Sequence, residues 1–303
     1  MILGDKIVID FLRYKKIYFL ISGIFLFLSI GSLGFWGLRP SIDFTGGSIL
    51  ELSLQENTEL QITNLKTELG DLENKLISVQ EAGDNNALMR LKPITEDEKN
   101  KLVKVLGDKI GEVSVVRFET VGPTLGRELL TKTLIAVVLA IGFIMAYAAW
   151  QFKDLMYGIC AALAMLHDSL ILVGSFAILG YFLGVEVDTL FVTAVLTTLS
   201  LSVHDTVVVF NSIRQEAKRF GRSVSTQQYN GIVNRAINAT IVRALNDSFT
   251  IIFMLLSLVL LGGETIRWFA VALLIGTILG TYSSTFIAAP LLTVWKDLAA
   301  KRK

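Results

Sequence analysis

The chain has 303 residues, 52% of them hydrophobic and only 18% charged, with a net charge of +1. That balance excludes a soluble domain with one large core and points to a polytopic membrane protein. The net charge identifies no partner, because the charges are sorted by region. The single cysteine, Cys160, sits in an apolar run, which excludes a disulfide framework and a cysteine-based metal site.

The N-terminus carries Lys6, Arg13, Lys15 and Lys16 ahead of an apolar run from Ile17 to Leu38. The run is too long for the apolar core of a cleaved signal peptide and lacks a small-residue cleavage pattern, so it reads as a retained signal anchor. Further runs long enough to span occur at Leu134–Trp150, Leu155–Leu179, Leu190–Phe210, Ala244–Leu261 and Phe269–Leu292. A spanning helix needs roughly 20 residues. The expected fold is therefore a polytopic α-helical membrane protein with six transmembrane helices, one before a long gap and five after it.

Orientation follows from the short loops. The N-terminus (1–16), the loop 211–243 (Arg214, Lys218, Arg219, Arg222, Arg235, Arg243) and the tail 293–303 (Lys296, Lys301, Arg302, Lys303) are basic. The opposite loops carry Glu186, Asp188 and Glu264 against Arg267 alone. Both termini are expected in the cytoplasm, in a cell (inner or plasma) membrane, with the gap 39–132 on the other side and the five-helix membrane domain over 133–292.

The gap reads as a small α+β domain. Ser48–Leu54 alternates as a strand, Thr58–Leu69 has helical spacing, and Lys75–Gln80 and Ala87–Lys92 are short strands. Thr95–Leu106 is a helix opened by a Thr95/Glu98 capping box, and Glu112–Thr120 is a last strand. The order β-α-β-β-α-β is that of a ferredoxin-like unit. It contains no His and no Cys, so it is expected to bind and not to react. Pro123 and Gly126 break the chain before the second span, where Pro123 suits a helix start. Gly276 and Gly280 form a close-packing G-x-x-x-G in the last span.

Polar groups within the spans carry the functional reading. The only two histidines each precede an aspartate, as His167-Asp168 and His204-Asp205. Span five opens at Arg243 and carries Asp247 four residues on, on the same helix face. By rise per residue Asp205 lies about 10 Å from the inner end of its span and Asp247 about 6 Å inside the next. Asp205, Asp247 and Arg243 are thus expected to meet at similar depth, with Asp168 nearer mid-membrane. A carboxylate at that depth is costly and marks a proton or ion pathway. Its affinity for a proton rises with desolvation and falls beside an arginine, which stays charged. Hydrogen bonding between helices is the plainer role and is favoured for His167 and His204. For Asp247 the plainer role is a pair with Arg243 on its own helix. Two His-Asp pairs also have the ligand types of a zinc site, but on different helices at different depths. The Tyr-Asp and Gly-x-Gly-Asp motifs of an intramembrane aspartyl protease are missing. No nucleophile motif, metal site or cofactor is read here, and the chain is not expected to be an enzyme.

Five stretches in order, IDFTGGSILEL (Ile42–Leu52), VGPTLGREL (Val121–Leu129), HDSLILVG (His167–Gly174), SVHDTVVVFNSIR (Ser202–Arg214) and NATIVRALNDS (Asn238–Ser248), resemble the SecD/SecF protein-export family. The likeness runs from about Ile17 to Leu292. It implies membership of the resistance-nodulation-division superfamily and use of the proton-motive force with SecD to drive preproteins through the SecYEG channel. SecA and YajC are further implied partners, the outer domain is implied to hold unfolded preprotein, and nucleic acid is not among the partners. The family's key aspartate falls on Asp205, its arginine on Arg243 and its span-three pair on His167-Asp168. The chain departs from the family pattern at His204, usually Asn, at Asn211-Ser212-Ile213-Arg214-Gln215, and at Asp247, an extra carboxylate. The alternative is a half-size exporter of lipids or small molecules in the same superfamily, against which the short chain argues, since such exporters carry two six-span halves.

Overall fold

The computed structural model describes residues 9–54, 74–81, 86–110, 113–152, 154–220 and 225–301. Two units are present, Pro40–Ile135 and the remainder, Met1–Arg39 with Ala136–Lys303. Among the described residues six helices are long and apolar enough to cross a membrane.

In the larger unit a single 3-10 turn, Phe11–Tyr14, leads into α1 (Lys15–Phe35), whose buried residues are Ser22, Ser29 and Ser32. The small side chains are required by contact with α5 (Leu155–Leu183). A Cβ on Gly174 of that helix would meet the Ser29 Cβ at 2.3 Å, and Ser32 Oγ donates to the Gly174 carbonyl at 2.9 Å. Small residues at such crossings let helices approach where no hydrophobic effect drives them together. Asp154 caps the start of α5 by accepting from Met156 N at 3.0 Å, and Gly184, at φ 71°, ends it in the left-handed conformation. Asp188 caps α6 (Thr189–Arg219) in the same way, accepting from Phe191 N at 2.7 Å.

Hydropathy underestimates the fifth span, placed by sequence at 244–261. Its helix, α7, runs Thr226–Leu261, because the Ser225/Gln228 capping box starts it well before the apolar run. Much of the segment 211–243, expected as a basic loop partly helical in pattern, is helix: the end of α6 and the start of α7. The last span is a rod in three parts, α8 (Glu264–Ser283), a π turn (Ser284–Ala288) and α9 (Ala289–Lys301). Pro290 supplies the cause of the irregularity, since it has no N–H to give to the carbonyl four residues back and its ring crowds that carbonyl.

Two apolar clusters fill this unit. One gathers Tyr157–Ala164 of α5, Val209–Ile213 of α6 and Tyr229–Ile237 of α7. The other gathers Leu172 and Phe176 with Phe191–Val203 of α6 and Ala272 of α8. On α6 the two clusters meet at Val207, which packs against both, and the polar groups described below lie close by in the chain.

In the smaller unit a four-residue helix, α2 (Ile42–Thr45), leads to β1 (Gly47–Leu54), followed by β2 (Leu76–Glu81), β3 (Asn86–Leu91), α3 (Glu96–Ile110) and β4 (Val113–Val121). The sheet is antiparallel in the order β2-β3-β1-β4, the arrangement of the ferredoxin-like split βαβ. Alternation places Leu50, Leu52, Met89 and Leu91 on one face, where Leu102 and Leu106 of α3 cover them. The Thr95/Glu98 box is formed in both directions, at 3.0 and 3.4 Å. The expected helix Thr58–Leu69 lies outside the described residues.

Two of the motifs meet in this unit. Gly46 and Gly47 have φ of 73° and 142°, open to glycine and strained for other residues. A Cβ on Gly46 would meet Pro123 Cα at 2.7 Å, and one on Gly126 would meet Gly46 N at 2.8 Å. The Gly-Gly pair and the Pro-Thr-Leu-Gly turn are thus two sides of one close backbone contact. Pro123 is the first residue of helix α4 (Pro123–Phe152), a position that needs no N–H.

Candidate functional site

Asp168 lies near the middle of α5 and is 6% exposed. Its Oδ2 accepts two hydroxyl hydrogen bonds, from Ser202 Oγ of α6 and Ser283 Oγ at the end of α8, each at 2.6 Å. Its Oδ1 lies 2.9 Å from His167 Nδ1. An ionised carboxylate only accepts, so Nδ1 carries the proton in that pair. One carboxyl group therefore ties three of the long helices together. His167 is equally buried, and its Nε2 has no hydrogen-bond partner among the described residues.

Packing on the neighbouring helices brings these hydroxyls in. A Cβ on Gly276 would meet the Thr198 methyl at 2.1 Å, and one on Gly280 would lie 3.3 Å from Ser202 Cα. The two glycines of α8 thus sit on Thr198 and Ser202 of α6, which are likewise four residues apart. Ser283, three residues beyond Gly280 on the same face, is then carried to Asp168. Gly276, Gly280 and Ser283 form a stripe of small residues at helical spacing, a signal present in the sequence. The stripe by itself signals only packing, and the role of Ser283 depends on which helix it meets. Ser202, within SVHDTVVVFNSIR, is uncharged, and nothing in its local pattern marks it.

The other expected residues are placed as follows. Asp205 lies one turn beyond Ser202 on α6, half-buried, within electrostatic range of His204, Asp247 and Asp168. Among the described residues it has no hydrogen-bond or ion-pair partner. His204 is exposed and lines a cavity of 300 Å³ with Phe143, Ile144 and Tyr147 of α4. Arg243 pairs with Asp247 on its own helix, Nε to Oδ2 at 3.8 Å, and both side chains are exposed. The expected meeting of Asp205, Asp247 and Arg243 is not formed by any hydrogen bond or ion pair to Asp205 among the described residues. The arginine is not within ion-pair distance of Asp205, because the four-residue spacing within α7 gives it a nearer acceptor. The two His-Asp pairs do not assemble as a metal site: no group of three or more His, Cys, Asp or Glu side chains comes together among the described residues.

A carboxyl on α5 bound by three donors and a second on α6, one turn beyond Ser202, with none among the described residues, are two environments for the same group.

Comparison with known proteins follows the same residues. The family model described as "Protein export membrane protein SecD/SecF, C-terminal" matches residues 101–298, and the "SecD/SecF GG Motif" matches 31–58, the stretch holding Gly46 and Gly47. The chain is 39% identical to the protein translocase subunit SecF of Thermobaculum terrenum, over 95% of this chain and 94% of that one. It is 35% identical to the SecF subunit of Anaerolinea thermophila, with the same coverage. Among solved structures it resembles SecDF of Thermus thermophilus, titled a translocon-associated membrane protein, with a TM-score of 0.83 and 29% identity. That match covers 98% of this chain and 40% of the Thermus chain.

Proposed function

Because this chain belongs to the SecD/SecF family of protein-export membrane proteins, we propose that it acts as the SecF half of a proton-driven motor beside the Sec translocase. SecD is the partner half: the relative of known structure is about two and a half times as long, and this chain aligns to 40% of it. The chain lies in the cell membrane with both termini in the cytoplasm, as its basic loops direct. The ferredoxin-like unit then faces outward and holds unfolded preprotein leaving the SecYEG channel, with SecA acting from the inner side and YajC associated.

The observation that carries this reading is the state of the intramembrane carboxylates. Asp168 is buried among two hydroxyl donors and the His167 ring, with no lysine or arginine within ion-pair distance among the described residues, and Asp205 is half-buried with no partner among them. Charged groups at such depth are retained for ion movement more readily than for stability. A proton entering Asp205, and passing to or from Asp168, removes a charge from a low-dielectric interior and changes which helix contacts are favoured. Arg243 keeps its charge throughout and serves as the fixed counter-charge, with Asp247 beside it. His204, at the wall of a cavity, and His167 extend the path on either side. The proton is the coupling ion in this reading.

The test is completion of preprotein translocation in membrane vesicles carrying Asp205→Asn. ATP and SecA are removed after initiation and a proton gradient is then imposed. Completion at the level seen without a gradient, with the SecD complex still assembled, is the expected result. Unchanged completion would make Asp205 a structural hydrogen-bonding group and remove the motor reading from it.

A further inference from the structure

Ser202 and Ser283 do no chemistry of their own, yet both bond the same oxygen of Asp168 from two different helices. We propose that Ser283, with Ser202, is a positioning residue that converts the charge state of Asp168 into the seating of α8 against α5 and α6. This rests on the reading of Asp168 as a relay carboxyl and says what that group moves.

Hydrogen-bond capacity is the basis. Ionised Oδ2 accepts both hydroxyls, and O–H···O⁻ bonds of 2.6 Å have the length of charge-assisted ones. When a proton arrives on Oδ2 through the relay, that oxygen becomes a donor and keeps less acceptor capacity. Both serines then cannot go on donating to it at full strength, and one hydroxyl must turn away. Ser283 has somewhere to turn: its Oγ also lies 3.3 Å from the carbonyl of Gly280 in its own helix. Ser202 Oγ has Asp168 as its one hydrogen-bond partner among the described residues. The charge-assisted bond lost is therefore the one between α8 and α5: the Ser283 O–H turns to the Gly280 carbonyl, and its oxygen accepts the weaker, neutral bond from the protonated Oδ2. Loss of the proton back to the relay reverses the step.

The surroundings of Ser283 suit a contact that is made and broken. The regular helix stops at this residue and the π turn Ser284–Ala288 begins. Such turns depart from the α-helical ladder and recur at functional positions. Toward its start α8 meets α6 through Gly276 and Gly280, which present no side chain to lock the crossing. The titratable groups that face Asp168 are His167 on its own helix and Asp205 on α6. No lysine or arginine lies within ion-pair distance of it among the described residues.

The experiment follows gradient-driven completion of a labelled preprotein as a function of pH in vesicles, for Ser283→Ala, Ser283→Thr, Ser202→Ala and Asp168→Asn. In Ser283→Ala the ionised carboxylate loses one charge-assisted bond, so the pH profile is expected to move to about tenfold lower proton concentration. Ser283→Thr, which keeps the hydroxyl, restores it. Should Ser283→Ala fail to assemble with SecD, Ser283→Cys, a weaker donor of similar size, carries the same measurement. An unmoved profile in both serine-to-alanine variants, with completion lost in Asp168→Asn, overturns the positioning role and leaves the relay reading in place. Full completion in Asp168→Asn overturns the relay role of Asp168, and the inference with it. A uniform loss at every pH that threonine does not restore assigns Ser283 to packing and overturns the proposal.

Discussion

Asp168 and Asp247 are both aspartates on helices long and apolar enough to span a membrane, and they sit in opposite surroundings. Asp168 is buried and takes donors from α6, α8 and its own helix. Asp247 is 71% exposed and has Arg243, itself 75% exposed, as its ion-pair partner one turn away. The first interaction connects helices distant in sequence. The second is local, needs no tertiary structure and holds nothing together. The difference teaches that the sequence distance of a partner, more than the charge on the residue, decides whether an intramembrane aspartate contributes to architecture.

The largest effect should come from removing the acceptor at the interior site. Asp168→Leu leaves the Ser202 hydroxyl and an imidazole N–H without their acceptor and Ser283 with the Gly280 carbonyl alone, and is expected to destabilise the protein by about 1–3 kcal/mol. Asp247→Leu should stay within about 0.5 kcal/mol, as surface substitutions do. Thermal unfolding of both variants in one detergent checks the contrast, which equal shifts would abolish.

Slightly smaller is the effect of pushing the hydroxyls away while keeping the carboxylate. Gly276→Ala places a methyl where Thr198 already stands and should cost about 1–3 kcal/mol through overpacking. Gly142→Ala, where a Cβ meets nothing within 4 Å, is the matched control and should be neutral.

Breaking the exposed pair should do least to the isolated chain. Arg243→Ala is expected to alter its stability by less than about 1 kcal/mol, while gradient-driven translocation falls. A large loss of stability in the isolated chain would mean that Arg243 has a structural role beyond its ion pair.

A third setting, an ion pair in water, sharpens the scale. Glu98 of the smaller unit is held below the usual carboxylate range, first by its hydrogen bond with Lys75 and then by the Thr95 backbone. A depressed folded value means the stabilisation is present above the unfolded carboxylate range, near 4.5, and disappears as pH falls through the lower folded value. The protection of α3 amides, taken relative to intrinsic exchange at each pH, should therefore fall on acidification below about pH 4.5 in the intact protein, and Glu98→Gln should flatten that dependence. The effect is small because the group is solvent-exposed.

Several features were legible in the residues themselves. Six spans, the inserted α+β unit and its strand order followed from hydropathy and from period-two alternation, both properties of short windows. The Thr95/Glu98 box and the Gly276/Gly280 stripe were readable for the same reason. What local pattern missed was the reach of Ser283 and the start of α7. Ser283 acquires its role through a helix crossing, and α7 begins at a cap in polar sequence that hydropathy does not register.

The amino-acid sequence by itself determined the membrane class, the presence of six long apolar helices and the small α+β unit between the first two. Each depends on the composition and periodicity of contiguous residues. Only the tertiary structure decided that Asp168 is the carboxyl that joins α5, α6 and α8, that Gly46 and Gly126 form one contact, and that Arg243 turns to Asp247. Those outcomes depend on how closely backbones approach and on which donor arrives first, and such distances are set when helices pack.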